Sequence, residues 1–353
     1  MSFASTKFQW LESQGYFEIM KYRRSHESSA EAVFIQNVLI PELEKHGKYQ
    51  FDKAGNFSIR IGTKYDTLFS AHIDTMHNAI TNKEPEQRLV IDEEKGLLYN
   101  GNSEVLGADD GSGIFLLFML LRKKVPGLYI FHRGEERGGI GSSWIAKEVT
   151  KSPKIFKGIK KAIAFDRYKK SHVITHQAGK RCASEVFASA LSDELSKLMP
   201  GIQWAPNDGG SFTDTANYTS LVPECTNVSV GYMHQHSPQE YQDLYFLQEQ
   251  AQIIHKVKWG KLPVARDPKV IELPIWLSKP DRDRRVANKK AVPFRPEREE
   301  DLYGTIPPEF TAEWIKAHAS EVAEMLNQYC MDPATMLEDF DDLTYGYDEF
   351  TLN

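Results

Sequence analysis

The sequence predicts an α/β protein, a three-layer sandwich with a central mixed, mostly parallel sheet and helices on both faces. Short apolar runs of strand length alternate with longer segments of helical periodicity, the order that builds a helix-covered sheet. Runs such as Leu68-Phe-Ser-Ala-His-Ile73 are too apolar to leave either face in water. Histidines and carboxylates recur directly after these runs, where the strands of an open α/β sheet converge on one crevice.

The bulk properties narrow the classes. At 353 residues the chain can form one large domain or two ordinary ones with ample core. A formal charge of −6 gives no general electrostatic reason to bind nucleic acid or a membrane surface. Cys182, Cys225 and Cys330 are few, distant and odd in number, which fits a reducing, cytoplasmic location. None has zinc-finger spacing, so any metal would be held by His, Asp and Glu. Residues 1–15 are polar and mixed in charge, unlike a signal peptide, and the longest apolar run, 114–121, is too short for a bilayer.

In order, residues 5–23 carry Phe8, Leu11, Tyr16, Ile19 and Met20 at roughly helical spacing, and a second helix is expected from about Ser28 to Lys45. A turn at Asp52-Lys-Ala-Gly55-Asn56 precedes an alternating strand at Phe57, Ile59 and Ile61, and the 68–73 strand follows. Leu89-Val-Ile91 and Leu97-Leu-Tyr99 read as a hairpin excursion. The run from Ile114 makes a helix ending near Lys123-Lys124, where basic residues suit the helix dipole. Strands are expected at 128–131, 162–165, 173–175 and 226–230, and helices at 141–149, 184–199 and 244–257.

The character changes after about Trp259. Residues 261–309 hold eight prolines and the cluster Arg282, Arg284, Arg285, Lys289, Lys290, which reads as an extended linker or wrapping arm over 259–310. Residues 311–353 are expected to form an amphipathic helix followed by an acidic tail, solvated or folded back on that cluster.

Leu106-Gly-Ala-Asp109-Asp110-Gly-Ser112 sets two adjacent carboxylates between glycines at the start of the 114 helix. Alone it would be a capped turn; adjacent carboxylates also suit a cation. His72 closes a strand, with Asp74 placed to fix its second ring nitrogen. Glu135 and Glu136 follow the 128–132 strand, Asp166 ends the next, and His236 lies beyond the 226–230 strand. Each has an ordinary reading as a satisfied or solvated polar residue. Together, two histidines and three carboxylates at strand ends suit a pair of zinc ions with open positions.

The order His72-x-Asp74, Asp109-Asp110, Glu135-Glu136, Asp166, His236 resembles the co-catalytic di-zinc exopeptidase superfamily of aminopeptidases, carboxypeptidases and deacylases. Asp52-x-x-Gly55-Asn56, Ser70-Ala-His-Ile-Asp-Thr75, Gly107-Ala-Asp-Asp-Gly111 and Ser237-Pro-x-Glu240 add to the likeness, which covers roughly residues 10–257. The resemblance implies a catalytic domain over 1–258 and two Zn²⁺, with Mn²⁺ or Co²⁺ as substitutes. It implies metal ligation by His72, Asp109, Glu136, Asp166 and His236, with Asp109 bridging, Glu135 as general base and Asp74 orienting His72. The Asp109–Asp110 peptide is often cis in such sites. His236 is preferred to His234 because Ser-Pro-x-Glu follows it, leaving His234 at the rim. Arg167, Arg181, His234 and Asp214 are weaker candidates for substrate binding, with His132, Arg133 and Lys180 as further sources of positive charge. Asp214 lies in Gly210-Ser-Phe-Thr-Asp-Thr-Ala216, which is similar to a supporting segment in some aminopeptidases.

Two departures from the superfamily point to its compact, single-domain aminopeptidase branch. The 69 residues between Asp166 and His236 are too few for an inserted dimerisation domain, and the 34 between Asp74 and Asp109 too few for an extra β-domain. The expected reaction is metal-assisted hydrolysis of a terminal amide bond in peptides. The alternatives are an N-acyl amino-acid deacylase on the same site and a non-catalytic binding or scaffold protein on the same fold. No nucleic-acid or membrane partner is expected, and homo-oligomerisation is left open.

Overall fold

The computed structural model describes residues 7–78 and 84–270; the helix and acidic tail expected over 311–353, and the arm beyond 270, lie outside the described residues. Among the described residues eight strands form the main sheet: β1 (Gln50–Phe51), β2 (Phe57–Ile61), β3 (Thr67–His72), β6 (Gly127–His132), β7 (Lys161–Arg167), β8 (His172–Ile174), β11 (Ala205–Asn207) and β12 (Glu224–Ser229). Their spatial order is β1-β2-β6-β3-β7-β12-β8-β11. The four central strands β6, β3, β7 and β12 run parallel, so their carboxyl ends emerge side by side. A four-stranded sheet joins the expected hairpin, β4 (Leu89–Asp92) and β5 (Leu97–Asn100), to β13 (Tyr232–Met233) and β14 (Tyr241–Asp243). The remaining strands, β9 (His176–Gln177) and β10 (Lys180–Arg181), form a small hairpin.

Side-chain alternation divides the core into two layers. Phe69, Ala71, Ile73, Tyr129, Phe131, Ile163 and Phe165 face one cluster, while Leu68, Leu128, Ile130 and Ala162 face the other. The first is covered by α1 (Gln9–Ser13), α2 (Tyr16–Met20), α5 (Ala108–Arg122), α7 (Glu185–Leu198) and α8 (Leu244–Ile253). The second is covered by α6 (Ile140–Lys151), through Ile145 and Val149. Ile114 to Leu121 of α5 are buried on every side, so its apolar run is a central helix of the sandwich. Ser184 and Asp243 start α7 and α8 by accepting the amides of Phe187 and Phe246.

Three local expectations are corrected. The helix over 5–23 is two helices, because Gly15 takes the left-handed conformation at φ 77° and stops the first. The helix over 28–45 runs as α3 (Ser29–Phe34), a π-helical stretch Ile35–Leu39 and α4 (Ile40–Glu44). Pro41, in the first turn of α4, has no N–H to donate, which removes one helical hydrogen bond there. Finally, the packed body extends past 258. Trp259 is buried against Phe69 and Phe165, and Glu224 accepts the amides of Ala265 and Arg266.

Candidate metal centre

The central parallel strands bring the candidates to one edge of the sheet. His72 ends β3, Asp166 lies at the end of β7, and Glu135 and Glu136 form a 3₁₀ turn after β6. His236 lies on the loop between β13 and β14, and Asp109 enters at the distorted start of α5, where the Asp109–Asp110 peptide is cis. The Asp110 carboxylate accepts the Gly113 amide at 3.0 Å as a helix cap and the His72 amide at 3.1 Å.

Buried polar groups hold each loop. Asp74 accepts the amides of Gly134, Glu135 and Glu136 at 2.8, 3.1 and 3.1 Å, fixing the Glu turn. The expected carboxylate contact to the imidazole is therefore corrected: His72 Nδ1 meets the main-chain carbonyl of Asp74 at 2.9 Å, with the carboxylate at 4.0 Å. The Asn56 side chain accepts the Arg133 amide and donates to the Gly141 carbonyl, bracketing the same turn. Asp166 is held by Asn227, which accepts its amide and donates to its carbonyl, and by the Tyr232 hydroxyl, 3.0 Å from its carboxylate.

Asp109 stands between two histidines. Its Oδ1 is 3.0 Å from His72 Nε2, and its Oδ2 is 3.2 Å from His236 Nε2. Asp166 lies 3.6 Å from His72 Nε2, Glu136 3.1 Å from His236 Nε2, and Glu135 3.9 Å from His72 Nε2. Of the three groups able to hold an ion among the described residues, two share Asp109: His72, Asp109 and Asp166, and Asp109, Glu136 and His236; the third is His72, Glu135 and Glu136.

Four carboxylates face two imidazoles here, and the protonation equilibria reflect the excess of negative charge. Burial, with the Asp166, Glu136 and Asp214 carboxylates adding and His72 opposing, pushes Glu135 well above the carboxylate range. Burial and Asp109 push Glu136 up to about 7. Asp109 goes the other way: against burial, its bonds to His236 and His72 hold it well below the usual range. Burial opposes charge on His236 too, yet Asp109 and Glu136 raise it to about 12.

This donor set fits divalent cations. Imidazole nitrogen with carboxylate oxygen suits Zn²⁺ and also accepts Mn²⁺ or Co²⁺. Glu136 Oε1 is buried without a hydrogen-bond partner although only 3.1 Å from His236 Nε2, an arrangement expected of two ligands aimed at a common ion. The His72 Nδ1 contact with a carbonyl makes that nitrogen the donor and leaves Nε2 free to ligate.

The weaker candidates separate. His236 enters the cluster, while His234 packs its ring 5.7 Å from that of Tyr241. Arg167 is buried, stacked 4.2 Å over Tyr168 and bonded to the Gly209 carbonyl. Arg181 lies opposite His176 in the small hairpin, whose Lys180 is exposed. Asp214 is buried with Oδ2 3.3 Å from His132 Nδ1, and burial pushes it up to about 7. Two expected sources of positive charge are corrected. Burial, with His72 adding, holds His132 down at about 3, hence neutral, and Arg133 is paired with Glu31 at 2.5 Å. Arg24, Tyr232, Asn227 and Thr213, which bonds Asp166, also serve the site; no motif in the sequence assigns Arg24, Tyr232 or Asn227 this task, and Thr213 lies in the Gly210–Ala216 segment beside Asp214.

No family model matches the chain, and no curated protein matches its sequence. Solved structures do match. The aminopeptidase PepT of Bacillus cereus superposes with a TM-score of 0.54 at 14% identity, covering 70% of this chain and 97% of its own. A tripeptidase of Staphylococcus aureus gives 0.56 at 13%, covering 71% and 97%. The TET1 peptidase of Pyrococcus horikoshii gives 0.52 at 14%, covering 68% and 97%. Nearly the full length of each is matched, and the chain has the α/β fold of these peptidases.

Proposed function

We propose that this protein is a metal-dependent exopeptidase of the co-catalytic di-zinc superfamily, hydrolysing a terminal amide bond of peptides in the manner of an aminopeptidase. One observation carries the reading: the two carboxylate oxygens of Asp109 face different histidines, 3.0 Å from His72 and 3.2 Å from His236. The fold held in common with an aminopeptidase and a tripeptidase supports it.

His72, Asp109 and Asp166 would hold one ion, and Asp109, Glu136 and His236 the other. Two divalent cations bound there supply positive charge that polarises a scissile carbonyl and acidifies water. Glu135, 3.9 Å from His72 Nε2, would take the proton from water and return it to the leaving amine. Asp74 keeps the turn carrying Glu135 and Glu136 rigid through three amide bonds.

Hydrolysis of amino-acid anilides and short peptides, with and without zinc, tests the proposal against Glu135→Gln. The variant is expected to keep its metal and lose about 10²-fold or more in kcat. Wild-type turnover in the variant contradicts the assignment of Glu135. Hydrolysis confined to N-acylated amino acids moves the substrate class to that of a deacylase.

A further inference from the structure

Arg24 is fully buried, and its guanidinium donates to four main-chain carbonyls. Nε donates to Ile73 at 2.9 Å, and Nη2 donates to Gly107 at 2.7 Å. Nη1 reaches back to Ile19 and Tyr22 at 3.0 and 3.3 Å. Ile73 follows His72 directly, and Gly107 lies two residues before Asp109. One planar fork thus ties the loop that carries the first histidine to the loop that carries the shared carboxylate. The Arg24 main chain pairs with Thr75 in both directions, which fixes the fork's origin on the His72 side.

Glu240 grips the same loop from the opposite side. It too is fully buried, and it accepts the amides of Leu106 and Gly107 at 2.8 and 2.9 Å through Oε2 and that of Asp109 at 3.1 Å through Oε1. Glu240 belongs to the β13–β14 loop that carries His236, and its own amide closes that loop onto Ser237 at 3.0 Å. Gly107 is therefore held by its carbonyl to the His72 side and by its amide to the His236 side. A buried charge is costly unless balanced, and Arg24 lies within electrostatic reach of Asp110 and Glu240.

We propose that Arg24 and Glu240 are positioning residues with separate duties: Arg24 sets the spacing of His72 and Asp109, and Glu240 that of Asp109 and His236. The inference rests on the di-metal reading above. It implies that loosening one clasp weakens one ion site and spares the other. A lysine at position 24 keeps the charge but is a point donor, unable to span Ile73 and Gly107 together as the planar fork does.

Zinc titration of the full-length protein by calorimetry, with histidine side-chain nitrogen NMR to report which imidazole is ligated, separates the duties. Arg24→Lys is expected to weaken zinc at His72 by about 10- to 100-fold, the usual cost of losing such a partner, while His236 stays near wild type. Glu240→Gln, nearly isosteric, is expected to show the reverse. Equal losses at both histidines, or none, would mean that the two residues only stabilise the fold, and would overturn the proposal. Should Arg24→Lys not fold, Glu240→Gln decides alone: a loss confined to His236 supports the proposal, and a shared loss overturns it. Wild-type protein that binds zinc at neither histidine overturns the di-metal reading and this inference together. Two bound ions with unselective variants overturn only the inference.

Discussion

The imidazole Nδ1 of His72 lies 2.9 Å from the main-chain carbonyl of Asp74 and 4.0 Å from its carboxylate. Main-chain geometry therefore orients the histidine, and the acidic side chain is left to hold the Glu135–Glu136 turn. Asp74→Ala is expected to weaken zinc binding by about 10- to 100-fold, with Glu136 released and His72 still ligated. Histidine NMR during a zinc titration reads this directly. Release of His72 first would restore the direct carboxylate–imidazole role.

His77 provides a pH test removed from the ligands. Its Nδ1 meets the Thr75 hydroxyl at 2.7 Å and its Nε2 the Gln87 side-chain amide oxygen at 2.8 Å, and burial holds its pKa down at about 4. The folded protein resists a proton that the unfolded chain accepts below about 6.5. Stability is thus fully retained above that value and falls as pH drops from about 6.5 to 4, by up to about 3 kcal/mol from this residue. Urea denaturation across that window checks the sign. His77→Gln should flatten the slope, and an unchanged slope would contradict the assignment.

Trp259 stands where an extended arm was expected to begin. Its ring meets Phe69 and Phe165 edge-on at 5.1 and 6.1 Å. Trp259→Ala is expected to cost about 3–5 kcal/mol in chemical denaturation, as for other buried large aromatics. A change below about 0.5 kcal/mol, usual for exposed positions, would put the domain boundary back at 258.

Much of this arrangement was legible because the central strands are buried on both faces. Leu68 to Ile73 and Leu128 to Phe131 read as strands on apolar content alone, and the candidates stand out as polar groups where such runs stop. Asn56 and Glu240 were visible as pieces of short motifs, though not their task of bracketing loops. Other features depend on tertiary contact and leave no local trace. Arg24 reaches Gly107 across 83 positions, and Arg133 reaches Glu31 across 102. Two elements turn on backbone detail. Gly15 ends a helix whose apolar spacing continues on both sides, and β11 contains Pro206, which a strand tolerates at a sheet edge.

Zinc content after loading and gel filtration, compared between Asp109→Ala and His236→Ala, tests the central claim most directly. If Asp109 serves both groups, Asp109→Ala should lose both ions, whereas His236→Ala should keep the ion at His72 and Asp166. Retention of one ion by Asp109→Ala would contradict the shared carboxylate.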